Sequence, residues 1–120
     1  MAMTRIVTGS IPREHQAGQG EVAEVLSKSV GGAQNVTCYL RWLRGGEAFA
    51  VPPLAETHQL VYLMEGEATI RLAAEAHEVV KGMGVYLGPA EVAEISHRGS
   101  APVKLFHLVV PVRPDLQLDR

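Results

Sequence analysis

Cysteine is almost missing from this chain of 120 residues, Cys38 standing alone, and aromatics are few: three Tyr, two Phe and one Trp. A single thiol rules out a disulfide framework within the chain and fits a reducing compartment. Neither sign of charge dominates. Eleven Lys plus Arg against thirteen Asp plus Glu leave a formal charge of −2, which argues against the clustered basic face of a nucleic-acid binder. Long apolar runs are lacking too. The longest is far below the ~20 residues of a spanning helix, and Met1-Ala2-Met3-Thr4-Arg5 leads into no apolar targeting segment. The expectation is a cytoplasmic protein without nucleic-acid or membrane partners.

What is present favours a folded domain. Apolar residues make up 47 % and charged ones 20 %, ordinary values for a globular protein. At this length a domain buries roughly two-thirds of the surface its unfolded chain exposes, enough for one core. Residues 1–20 read as an N-terminal arm or loop, because the stretch from Gly9 to Gly20 is polar and Gly-rich with no period. Residues 21–120 read as a single barrel domain. Within it, short runs are separated by Gly and Pro: 22–27, 36–43, 48–51, 59–64, 68–72, 77–80, 85–87, 92–96 and 103–110. Turn signals every eight to twelve residues or so favour an all-β sandwich or barrel, and no run has the length or caps of a helix. In Glu67–Leu72, Ala68, Ile70 and Leu72 share one face and Glu67, Thr69 and Arg71 the other. The run Leu60–Met64 is apolar throughout, so its strand is expected to be covered on both sides, by the barrel interior on one and by another sheet or a second subunit on the other.

The segment Tyr62-Leu63-Met64-Glu65-Gly66-Glu67 resembles the centre of a cupin. The family's first motif, G(x)5HxH(x)4E(x)6G, falls on Gly46, Pro52, Leu54, Gln59 and Gly66 without an insertion. Its second, G(x)5PxG(x)2H(x)3N, falls on Gly82, Gly88, Ala90, Ala93 and His97, with Pro89 one place late. The glycine frames persist over roughly residues 35–111, while the two His and the Glu of the first motif and the His of the second are replaced. The stretch Val103–Pro111 is similar to the last barrel strand of small cupins. The resemblance implies an all-β, double-stranded β-helix or jelly-roll barrel with an N-terminal arm, and a homodimer.

A cupin metal site needs imidazoles and a carboxylate converging on one ion, and the matching positions hold Pro52, Leu54, Gln59 and Ala93. No cofactor is therefore expected. A rearranged divalent-metal site is conceivable only from His58, His97 and His107, with His58 facing inward if the first motif slips by one. His97 shares the face of Ala93 by period-two counting, or else sits in an exposed turn. His107 lies in an apolar strand, as a core histidine held by one hydrogen bond or as a site residue. Gln59 points into the barrel, where a buried amide must be hydrogen-bonded. Cys38 reads as a small buried apolar residue. Tyr39 and Trp42 fall on opposite faces of their strand, and Tyr62 and Tyr86 on the outer one.

Three functions follow in order. The first is a barrel that binds a small organic ligand in a largely apolar cavity, its binding residues Gln59, His97, His107, Leu54, Leu63 and Ala93. The second is a small isomerase, cyclase or lyase with His97 and His107 as catalytic acid and base. The third is a dimerising scaffold whose cavity is packed shut by Pro52 and Leu54.

Overall fold

The computed structural model describes residues 6–27, 35–54 and 56–111. Among them the chain runs as ten strands: β1 (Glu14–Gln16), β2 (Gly20–Leu26), β3 (Thr37–Leu43), β4 (Ala48–Val51), β5 (Thr57–Glu65), β6 (Glu67–Leu72), β7 (Glu75–Val80), β8 (Gly84–Leu87), β9 (Ala93–Arg98) and β10 (Val103–Pro111). They form a six-stranded sheet in the order β1-β2-β3-β10-β5-β8 and a four-stranded sheet in the order β4-β9-β6-β7. All pairings are antiparallel. The fold is all-β, two sheets face to face in a jelly roll. No helix among the described residues is long and apolar enough to cross a membrane.

Alternation along each strand decides what fills the space between the sheets. Val103 and Leu105 of β10, Val61 and Leu63 of β5, and Ile70 and Ile95 of the smaller sheet point inward and are buried together. The opposite face of the larger sheet carries a second apolar cluster around Ala23, Val25, Cys38 and Leu40. Ile11 packs on this cluster, and Arg13 lays its guanidinium 3.6 Å over the Trp42 ring while pairing with Glu21 at 3.3 Å. Ile11 and Arg13 thus cover part of that outer face.

Within the stretch read as an arm or loop, Glu14–Gln16 joins the sheet as its edge strand against Gly20–Val22. Three polar residues, largely solvent-exposed, carry no hydrophobic period, and it is the backbone ladder that holds them. Along the run Leu60–Met64 the two faces differ within this chain, and Met64 packs on the outer cluster. Val61 and Leu63 are in the core, whereas Tyr62, opposite Gly84 of β8, is exposed, and Tyr86, opposite Leu60, more so.

The turns obey the glycine frame. Gly66, between β5 and β6, has φ of 86°, and a Cβ there would stand 2.5 Å from the Pro102 carbonyl oxygen. Ala90, at a glycine of the second motif, also adopts positive φ, at 64°. Its N–H donates to the Leu54 carbonyl at 3.1 Å and so ties the segment after β4 to the turn before β9.

Candidate functional site

The space between the sheets has two ends of different character. At one, Val61, Leu63, Ile70, Ile95 and Leu105 close around a void of about 10 Å³, at the limit of what could hold one water. At the other lies a cavity of about 260 Å³. Its wall comes from alternate residues of adjacent strands: Thr37, Tyr39 and Arg41 of β3, and His107 and Val109 of β10. Val22 of β2 and Gln16 of β1 extend it, and Phe49, Pro52 and Leu54 supply the facing side. A broader depression of about 390 Å³ at Leu72, Ala73, Glu91 and Val92 includes no buried polar residue.

Gln59 sits behind the wall, 1 % exposed. Its Nε2 donates to the Pro52 carbonyl at 2.8 Å, and its Oε1 lies 2.7 Å from His107 Nε2. This assigns the protons. A carbonyl only accepts, so the amide nitrogen faces Pro52 and the amide oxygen faces the imidazole; His107 Nε2 must then be the N–H donor. The neutral ring keeps Nδ1 as an acceptor without a hydrogen bond among the described residues. His107 is 4 % exposed, and burial, aided by the Arg41 charge, pushes its pKa down to about 4. The imidazole is neutral at pH 7 and packs between Tyr39 and Phe49, with ring centroids 5.7 and 5.4 Å away.

Arg41 is the other buried polar group of the wall, 6 % exposed. Its Nη1 donates to Gln16 Oε1 at 2.8 Å and to the Gln19 carbonyl at 2.9 Å, and the guanidinium lies 3.8 Å over the Phe49 ring. Nε is buried without a partner. Burial lowers the pKa to about 10, with Tyr39 opposing, so the group stays charged at neutral pH. Burial first, then Glu24, raises the Tyr39 phenol, while Arg41 pulls it down. The Cys38 thiol, on the outer face, is raised by burial and is a packing residue.

The residues singled out from sequence separate into three groups. Gln59, His107 and Leu54 belong to the cavity or its backing. Leu63 and Ala93 face inward but lie in the packed core away from it. His97, half-buried at the end of β9, donates from Nε2 to the Ala101 carbonyl at 2.8 Å and does not line the cavity. The paired acid–base arrangement of His97 with His107 is therefore not assembled. His58 alternates to the side opposite Gln59, hydrogen-bonding and stacking with Tyr86, so the motif register does not slip. Pro52 and Leu54 line an open space rather than filling it, against the packed-shut scaffold.

These side chains do not fit the metal that the fold implies. Among the described residues no three His, Cys, Asp or Glu side chains stand together as a possible ion site. The cavity offers one imidazole nitrogen, and the guanidinium beside it opposes a cation. Sequence reasoning missed Arg41, Thr37, Phe49, Gln16, Val22 and Val109. For β3 the signal was available, because counting by two from Tyr39 places Thr37 and Arg41 on its face.

No family model matches the sequence, and no curated protein does. Solved structures match closely in shape. A predicted oxalate decarboxylase from Thermotoga maritima is 15 % identical with a TM-score of 0.81, over 90 % of this chain and 99 % of that one. KdgF from Halomonas sp. is 11 % identical with a TM-score of 0.76, over 97 % and 100 %. A Cupin 2 conserved barrel domain protein from Salinispora arenicola is 10 % identical with a TM-score of 0.70, over 92 % and 88 %. At such identities the likeness is one of fold alone.

Proposed function

Starting from the cupin fold of this chain, we propose that it binds a small organic ligand in the cavity between β3, β10 and the segment after β4. The observation that carries this reading is the cavity of about 260 Å³ lined by two buried polar side chains, Arg41 and His107, whose guanidinium Nη2 and ring Nδ1 make no hydrogen bond among the described residues. A mostly apolar concavity with a few convergent polar groups is the usual form of a small-molecule site. Its volume of about 260 Å³ lies just below the ~300 to 1,000 Å³ usual for ligand pockets, which suits a small ring or a short chain. Phe49, Pro52, Leu54 and Val109 supply apolar contact. His107 Nδ1 supplies an acceptor that Gln59 holds in one tautomer.

Two-dimensional amide NMR tests the reading with a panel of small aromatic and aliphatic acids, amides and alcohols. At least one compound is expected to shift the resonances of Tyr39, Arg41, Phe49 and His107 saturably, leaving those of β6 and β7 in place. A panel without any such compound, or shifts confined to the depression near Val92, would overturn it.

A further inference from the structure

The charge in this pocket has no counter-charge among the described residues. Among the described residues the ion pairs are Arg13 with Glu21 and Arg98 with Glu67 and Glu78, all at the surface. None involves Arg41, and no described Asp or Glu lines the cavity. Both hydrogen bonds of Arg41 use Nη1 and end on neutral oxygens. Nε is buried and unpaired, and Nη2 makes no hydrogen bond among the described residues. The guanidinium carbon lies 3.8 Å over the Phe49 ring, and that contact together with the two Nη1 hydrogen bonds fixes the group in the wall. An unpaired buried charge is costly, while a charge-assisted hydrogen bond to an arriving anion is among the stronger polar contacts.

Resting on the ligand-binding reading above, we infer that the ligand is a small monocarboxylate, its anionic end on Arg41 and its apolar body against Phe49, Pro52 and Leu54. One guanidinium suits one carboxylate. A phosphate ester would ask for more donors than this wall has, since among the described residues no Lys and no second Arg line the cavity. His107 Nδ1, a bare acceptor, is unsuited to the carboxylate and directs it to the Arg41 side.

Isothermal titration on the wild-type chain compares phenylacetate with phenylacetamide and hexanoate with hexanamide, pairs of equal shape that differ in charge. The acids are expected to bind roughly ten- to a hundredfold tighter than their amides, the range of a charged hydrogen bond. Arg41→Gln is expected to bring acid affinity down to the amide level, with Arg41→Lys recovering part of it. Amides binding as tightly as acids, with the pocket resonances shifting, would overturn the anion inference while sparing the binding reading. Neither acids nor amides binding would sink both. Acid binding that Arg41→Gln leaves unchanged would place the anion elsewhere and also overturn the inference. Because Arg41 is buried and its variant can unfold, circular dichroism accompanies each titration; the wild-type acid–amide comparison decides the matter without the variant.

Discussion

His107 is a buried base whose proton is unwelcome, and that has a measurable sign. Its pKa is pushed down to about 4 in the folded chain against the ordinary 6.5 of a free imidazole, so between these values the unfolded chain takes up a proton that the folded one refuses. The stability associated with neutral His107 is complete above pH 6.5 and is lost as pH falls toward 4. The loss amounts to on the order of 2 to 3 kcal/mol by pH 4.5. Urea unfolding at pH 7 and pH 4.5 should show that much more loss in the wild type than in His107→Asn; equal losses in the two would refute the assignment. The pairing of Gln59 with His107 was half legible in sequence. The motif frame put Gln59 inside, and a histidine in an apolar strand called for a partner, but which partner depends on a register between β5 and β10 that neither residue encodes. Arg41 escaped because a charge within Cys38–Leu43 is easily assigned to solvent, although its own strand alternation put it with Tyr39.

Strands were more legible than sites, because each carries its period and its punctuation locally. The runs 48–51 and 103–110 match β4 and β10 to within a residue, whereas β1 was missed because three polar residues have no period to count. The turns give a paired test. Gly66 needs its missing side chain twice over, for a φ of 86° and for the Pro102 oxygen 2.5 Å from any Cβ. Gly66→Ala is expected to cost upwards of about 2 kcal/mol. Ala90 shows the converse, an L-residue held at φ 64° where glycine is the natural occupant. Ala90→Gly should stabilise the chain by about 0.5 to 1 kcal/mol, since its N–H to Leu54 is kept and only the steric penalty goes. Thermal melts moving in opposite directions for the two variants are the expected result. A lower melting temperature for Ala90→Gly would mean that the turn holds its conformation without strain.

Period-two counting tells which face a residue takes, but not how far along the axis between the sheets it lies. Leu63 and Leu54 were read from sequence as lining one cavity, yet the first belongs to the packed end and the second to the mouth of the open end. Leu63 is 2 % exposed among Val61, Ile70, Ile95 and Leu105, and Leu54 is 40 % exposed beside Pro52. One end of the molecule supplies stability and the other is free to hold a ligand, so truncations at the two ends should separate the properties. Leu63→Ala leaves a hole in close-packed surroundings and is expected to cost about 2 to 5 kcal/mol, with acid affinity unchanged in the molecules that remain folded. Leu54→Ala removes surface that is already partly wet, so stability should move by less than about 1 kcal/mol. Affinity for phenylacetate should fall several-fold because an apolar contact at the mouth is gone. Urea melts and titrations on both variants make the comparison. If Leu63→Ala weakened binding as much as Leu54→Ala while staying folded, the two ends would be coupled and the division of the interior into a packed half and a binding half would fail.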